Sequence, residues 1–151
     1  MIDPPRPLYT AYLDGSLRLT RQGVWLHEGR KISNRNLSDL FHRSVVWDDT
    51  LLRYVVRIGK EQATFTCDDA PYYVVALDTS HSPWELVLAG GERAPLDRGS
   101  LRQTATHELT SRIKGGHRAL FLSGAYQIMV EHTIDDRSIC VDGEVVTIAM
   151  E

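Results

Sequence analysis

The sequence is short of most features that would announce a chemistry. It holds two cysteines, Cys67 and Cys140, far apart and in neither a CxxC nor a Cys/His ligand spacing, so a disulfide framework or a zinc-finger type of site has no basis. Each lies in an alternating apolar run and is expected as a buried, reduced thiol. Positive charge is not in excess. Against 17 Lys and Arg stand 20 Asp and Glu, a formal net charge of −3. That balance offers no cationic field for nucleic acid, and neither DNA nor RNA is expected as a partner. No apolar run approaches the roughly 18 residues of a membrane span, and "MIDPPRPLY" lacks the basic start and apolar stretch of a signal peptide. The chain is therefore expected to be soluble and cytoplasmic, without a membrane partner. There is no GxSxG elbow for a nucleophile, and neither GxxxxGK[ST] nor GxGxxG for a phosphate.

What is present is a sequence of strands and turns. A chain of 151 residues can bury roughly 68–70% of its unfolded surface, enough for one core or two small ones. Pro4, Pro5 and Pro7 favour an extended arm at the start. "GVWLHEGRKI" reads as a hairpin about Glu28-Gly29, where glycine supplies a positive φ without steric cost. A helix should follow, capped by Ser33 or Asn34, with Leu37, Leu40, Phe41, Ser44 and Val45 on one face. Asp48-Asp49 ends that pattern by competing for local backbone hydrogen bonds. "RYVVRIG", "ATFTC" and "YYVVALD" alternate as strands, and together are expected to form an antiparallel meander with one wet face.

The polar, proline-containing "DTSHSPWE", residues 78–85, places a domain boundary, giving a hairpin–helix–meander lobe over 1–80 and a β-rich lobe with one helix over 81–151. In the second, "WELVLAGGERAPL" and "HELTSRIKGGHRALFL" read as Gly-turn hairpins. "SGAYQIMVEHTI" reads as a helix capped by Ser123, with Ala125, Ile128, Met129 and His132 on one face. Asp142-Gly143 marks a closing hairpin. Gly29 and Gly91 each end an apolar strand ahead of an arginine, a turn and a leucine; the match needs a gap and leaves duplication open.

Four stretches could carry a site. "CDDAPYY" either is a strand exit, with Asp69 in an Asx turn and Ala70 held extended by Pro71, or offers Asp68 and Asp69 as acceptors beside Tyr72. Adjacent residues of a strand point to opposite faces, which argues against an acid–base pair. In "GVWLHEGRK", Trp25 and His27 share a side and suit an aromatic platform, or else Trp25 is core and His27 sits at the hairpin mouth. Arg30, Lys31 and Arg35 could meet a phosphate near the helix start, or form a solvated basic turn. Glu131, His132, Asp135 and Asp136 have metal-ligand character, but a hydrogen-bonded His on an apolar face is the plainer reading, and no metal or cofactor is expected.

The run "LRLTRQGVWLHEGRKISNRNLSDLF", continued by "RYVVRIGKEQATFTCDDAPYYVVALD", resembles the uncharacterised bacterial family called domain of unknown function 1285. The likeness is carried by Gly23, Trp25, Gly29, Ile32, Leu40, Phe41, Tyr54, Glu61, Asp68, Asp69, Ala70, Pro71 and Tyr72, within Leu17 to Asp78. It departs at Ile58-Gly59, where the family has Thr-Pro. The resemblance implies an α+β fold of two small related lobes, mainly antiparallel sheet with one helix each, the second pleckstrin-homology-like. It also implies a groove between lobes for a small, nucleotide-like ligand and a role in signalling. On that basis the chain is expected to be a non-catalytic binding protein using Trp25, His27, Lys31, Arg35, Tyr54, Glu61, Asp68, Asp69, Tyr72 and Arg112, the last being a cation that the second half could present. The alternative is a protein–protein module that pairs an exposed sheet edge, in a homodimer or with another chain.

Overall fold

A computed structural model describes residues 13–151; the expected proline arm lies outside them. The chain divides into two compact units, 1–71 and 72–151. The first contains β1 (Leu17–Leu19), β2 (Trp25–His27), β3 (Arg30–Lys31), α1 (Arg35–Arg43), β4 (Val45–Asp48), β5 (Arg53–Ile58) and β6 (Glu61–Cys67). The second contains β7 (Tyr72–Asp78), β8 (Glu85–Leu88), β9 (Arg93–Pro95), a 3₁₀ turn (Arg98–Ser100), β10 (Arg102–Gln103), β11 (Leu109–Ile113) and β12 (His117–Phe121). It continues through α2 (Ser123–Val130), β13 (Ser138–Val141), β14 (Glu144–Thr147) and β15 (Ala149–Met150). The fold is α+β, with mainly antiparallel sheets.

Each unit repeats one topology. In the first the strand order is β3-β2-β1-β6-β5-β4: two antiparallel three-strand meanders joined by a parallel pairing of the first strand with the last. In the second, β9-β8-β7-β12-β11-β10 does the same, with β7 parallel to β12 and β15 added outside β10. Both join their two meanders through a helical segment, α1 in one and the 3₁₀ turn in the other. Gly29 and Gly91 fall in equivalent turns, between the second and third strands of each unit. The two units thus share a strand order, with Gly29 and Gly91 at matching places in it.

Local signals account for the turns. Glu28 and Gly29 both have positive φ, 50° and 80°, and Asp142 and Gly143 have 54° and 78°, the torsions a two-residue hairpin compatible with strand twist demands. At α1 the Asn34 side chain accepts from the Leu37 N–H at 3.0 Å. Ser44, the polar member of the apolar stripe, sits at the helix end and donates its hydroxyl to the Leu40 carbonyl, which permits its burial. Trp25, Phe41 and Phe65 meet edge-on, with centroids 5.6 and 5.0 Å from Trp25, and with Leu17, Leu19 and Val45 form the first core.

Three expectations need correction. β7 does not continue the meander of β5 and β6: it pairs with β8 and β12, so the division falls at Pro71/Tyr72 rather than in 78–85. As an interior strand β7 buries Tyr72, Tyr73 and Val74 in succession, so its alternation is not that of a half-wet strand. Ser123 does not cap α2; Leu122 holds that position without a side-chain bond. Gly124 instead serves close approach, since a Cβ there would lie 3.3 Å from the Val75 carbonyl oxygen. Both cysteines are free thiols, half-buried rather than buried.

Candidate functional site

In "CDDAPYY" the acidic pair closes the β1/β6 pairing. Because β1 runs parallel to β6, Arg18 and Arg21 emerge beside the end of β6. The Arg18 Nε donates to both Asp68 carboxylate oxygens, at 2.8 and 3.0 Å, and an Arg21 guanidinium nitrogen lies 3.7 Å from Asp69. The Cys67 thiol donates to the Asp69 carbonyl at 3.7 Å. Ala70 and Pro71 are buried as the chain leaves the unit. Tyr72, expected beside the two acceptors, is 5% exposed within β7, where the Lys114 ammonium sits 4.6 Å from its ring centroid.

The β2–β3 hairpin builds a hollow. Its turn turns Trp25 inward, only 1% exposed, so Trp25 is a core residue and not a platform. His27 follows at half-exposure at the hairpin mouth, and with Glu28, Arg30, Lys31 and Ile32 it lines an open concavity of about 530 Å³. One imidazole and two permanent cations face one carboxylate there. Of the ten expected residues, this hollow brings together His27 and Lys31, and adds Arg30. Arg35 is exposed and opens α1. Tyr54 stacks edge-on against Trp47, its cross-strand partner, at 5.0 Å, and Glu61 opens β6 opposite Ile58.

The carboxyls whose titration shifts are held in their charged form. Asp48 accepts from the Thr50 and Leu51 amides, the Arg57 guanidinium and the Gln62 amide, at 2.8 to 3.2 Å, and the Leu51 amide does most to lower its pKa. Asp14 is lowered by Thr64, and Asp135 by the Arg137 amide. Asp78 is lowered by the Ser80 hydroxyl and by Arg93. His42 shifts the other way in charge: burial against Trp25, 5.7 Å away, keeps it neutral and pushes its pKa from 6.5 to about 4. Such carboxylates are fastened structural groups, unlike a general acid, which needs a raised pKa.

For a cation, the group Asp78, His81 and Glu85 brings its ligand atoms within 4.8 Å of one another. The Arg93 Nη1 stands among them, 2.8 Å from Asp78 and 3.2 Å from Glu85, and already supplies the compensating charge. The stretch around His132 does not converge: its Nδ1 lies 2.9 Å from the Ile128 carbonyl and its ring packs edge-on to Trp84.

In the second unit, Arg112 lines a separate open groove of about 470 Å³ with Asp97, Gly99, Ser100, Arg102, Met150 and Glu151. Arg112 and Tyr72 are two strands apart and do not share this groove. The carboxylate of Glu151 receives a two-point clasp from Arg118, at 2.7 and 2.8 Å, and a third bond from the Thr110 hydroxyl at 3.1 Å. Sequence reading overlooked this clasp, because its partners are 33 and 41 residues apart and nothing local marks them.

No protein-family model matches the sequence, and no curated protein does. Two solved structures share its fold. A DUF1285 family protein from Silicibacter pomeroyi aligns over 89% of this chain and 80% of its own, with a TM-score of 0.67 and 19% identity. A DUF1285 family protein from Shewanella baltica aligns over 78% of this chain and 91% of its own, with a TM-score of 0.62 and 15% identity. The likeness expected from residues 17–78 is thus supported by structure, at the level of the fold.

Proposed function

We propose that the chain is a non-catalytic binding protein that takes a small anionic, nucleotide-like ligand at the β2–β3 hairpin and acts in signalling or regulation. The observation that carries this reading is the hollow lined by His27, Arg30 and Lys31, whose donors outnumber the single Glu28 carboxylate. A strand hairpin carries these donors, and Trp25 anchors it in the core through Phe41 and Phe65. Phosphate oxygens suit such a set, since an ammonium and a guanidinium donate without accepting, and an imidazole carries an N–H donor of its own.

The test is a thermal-shift series with inorganic phosphate, pyrophosphate and nucleoside mono-, di- and triphosphates, since a ligand that prefers the native state raises its melting temperature by mass action. At least one phosphate should raise the midpoint in wild type, and an Arg30→Ala/Lys31→Ala variant should lose that rise. A flat response at millimolar concentrations overturns the reading. It would favour the alternative, an interaction module, for which β14 is the candidate edge: its Val145 is 66% exposed and β13 is its sole partner among the described strands. Light scattering giving twice the chain mass supports that alternative.

A further inference from the structure

Residues 149–151 are bound to the second unit as a peptide would be. Ala149 and Met150 lie parallel to Arg102 and Gln103, the Glu151 amide donates to the Gln103 carbonyl at 2.8 Å, and the Glu151 carboxylate enters the Arg118–Thr110 clasp. Main-chain bonds to a sheet edge, with one side chain read in a specific pocket, form the recognition pattern of strand addition. The receiving side is built and the guest is slight. Thr110 is 2% exposed and Arg118 is mostly buried, whereas Met150 is 62% exposed and Ala149 is exposed as well, so the guest gains little from apolar burial.

We infer that the β10 edge with the Arg118–Thr110 clasp is a docking slot for an extended acidic peptide of a partner protein, filled here in cis by residues 149–151. Charge favours an acidic guest. Arg102, Arg112 and Arg118 surround or border the slot, and Asp97 and Glu151 are the carboxylates beside them. The Arg118 clasp, with Thr110 and the nearby Arg112 charge adding to it, holds the Glu151 carboxyl below its ordinary pKa, so the slot selects the charged form. The planar two-point geometry reads a carboxylate side chain and passes over an amide, which offers only one acceptor. The slot lies on the second unit and is independent of the hairpin hollow. A partner peptide competes with a tethered guest, so cis occupancy sets the threshold for docking.

The experiment uses the whole chain and a fluorescein-labelled, C-terminally amidated hexapeptide VTIAME, followed by anisotropy. Glu151→Gln weakens the cis guest and leaves the clasp intact, so it should bind the peptide at least about tenfold more tightly than wild type, the share a charge-assisted pair supplies. Adding Arg118→Ala should remove that gain, and the peptide VTIAMQ should fail to bind Glu151→Gln. Equal affinity of wild type and Glu151→Gln, or equal affinity for the two peptides, overturns the proposal. Circular dichroism checks that the variants fold. Should Arg118→Ala not fold, amide exchange in wild type decides: millimolar VTIAME should speed exchange at the Glu151 N–H as it leaves the Gln103 carbonyl, and an unchanged rate refutes the slot.

Discussion

Acid should loosen the first unit through one residue, His42. Its ring packs edge-on against Trp25 in the core, 8% exposed, and burial pushes its pKa from 6.5 to about 4, against the opposing pull of Asp39 and a hydrogen bond to the Gly23 backbone. The folded chain therefore keeps His42 neutral while the unfolded chain takes a proton near pH 6.5. Stability from this residue is fully present above that value and is lost as pH falls from 6.5 toward 4, because protons bind preferentially to the unfolded state. Across a shift of this size the loss at pH 5 is about 2 kcal/mol. The assay is urea unfolding of wild type and His42→Gln at pH 7.5 and pH 5.0, followed by circular dichroism. Glutamine is neutral at both values, so the difference between proteins cancels every other titrating group. Wild type should lose about 2 kcal/mol more than the variant on acidification. Equal losses in the two proteins would mean that His42 is solvated or already protonated in the fold, and would refute the reasoning.

Other substitutions probe the elements that hold the sites. Asn34→Ala removes the acceptor for the Leu37 amide and should cost about 1 kcal/mol of stability in urea unfolding, with Asn34→Asp near neutral. Gly143→Ala puts a side chain at φ 78° with open space around it, so strain alone should lower stability by about 1 kcal/mol, whereas a change beyond that scale would show that the hairpin has refolded. Asp48→Ala frees two loop amides, Arg57 and Gln62 at once, so its melting temperature should fall well below that of Asp49→Ala, whose carboxylate accepts from the Trp47 indole at 2.9 Å.

The likeness to the two solved structures is spread over most of the chain at 19 and 15% identity, while the residues that suggested it lie within 17–78. That is the expected outcome when a shared topology is held by local turn torsions and apolar alternation, which many sequences can supply. Function does not travel with such a likeness, since a site needs particular side chains at particular distances.

Sequence alone determined the features whose cause is local. The Glu28-Gly29 and Asp142-Gly143 turns follow from torsions that only a few residues accept, and α1 follows from an apolar stripe behind Asn34. His27 and Lys31 were legible as neighbours because a two-residue turn returns the chain to itself. Tertiary structure alone decided which strands meet across a distance. The parallel pairings of β1 with β6 and β7 with β12 leave no mark in either strand, since backbone groups pair without regard to side-chain identity. Those pairings placed Arg18 against Asp68, moved β7 into the second unit and turned the acidic pair into a strand closure. The Glu151 clasp has the same origin, because contacts between residues far apart in the chain are set by packing and register.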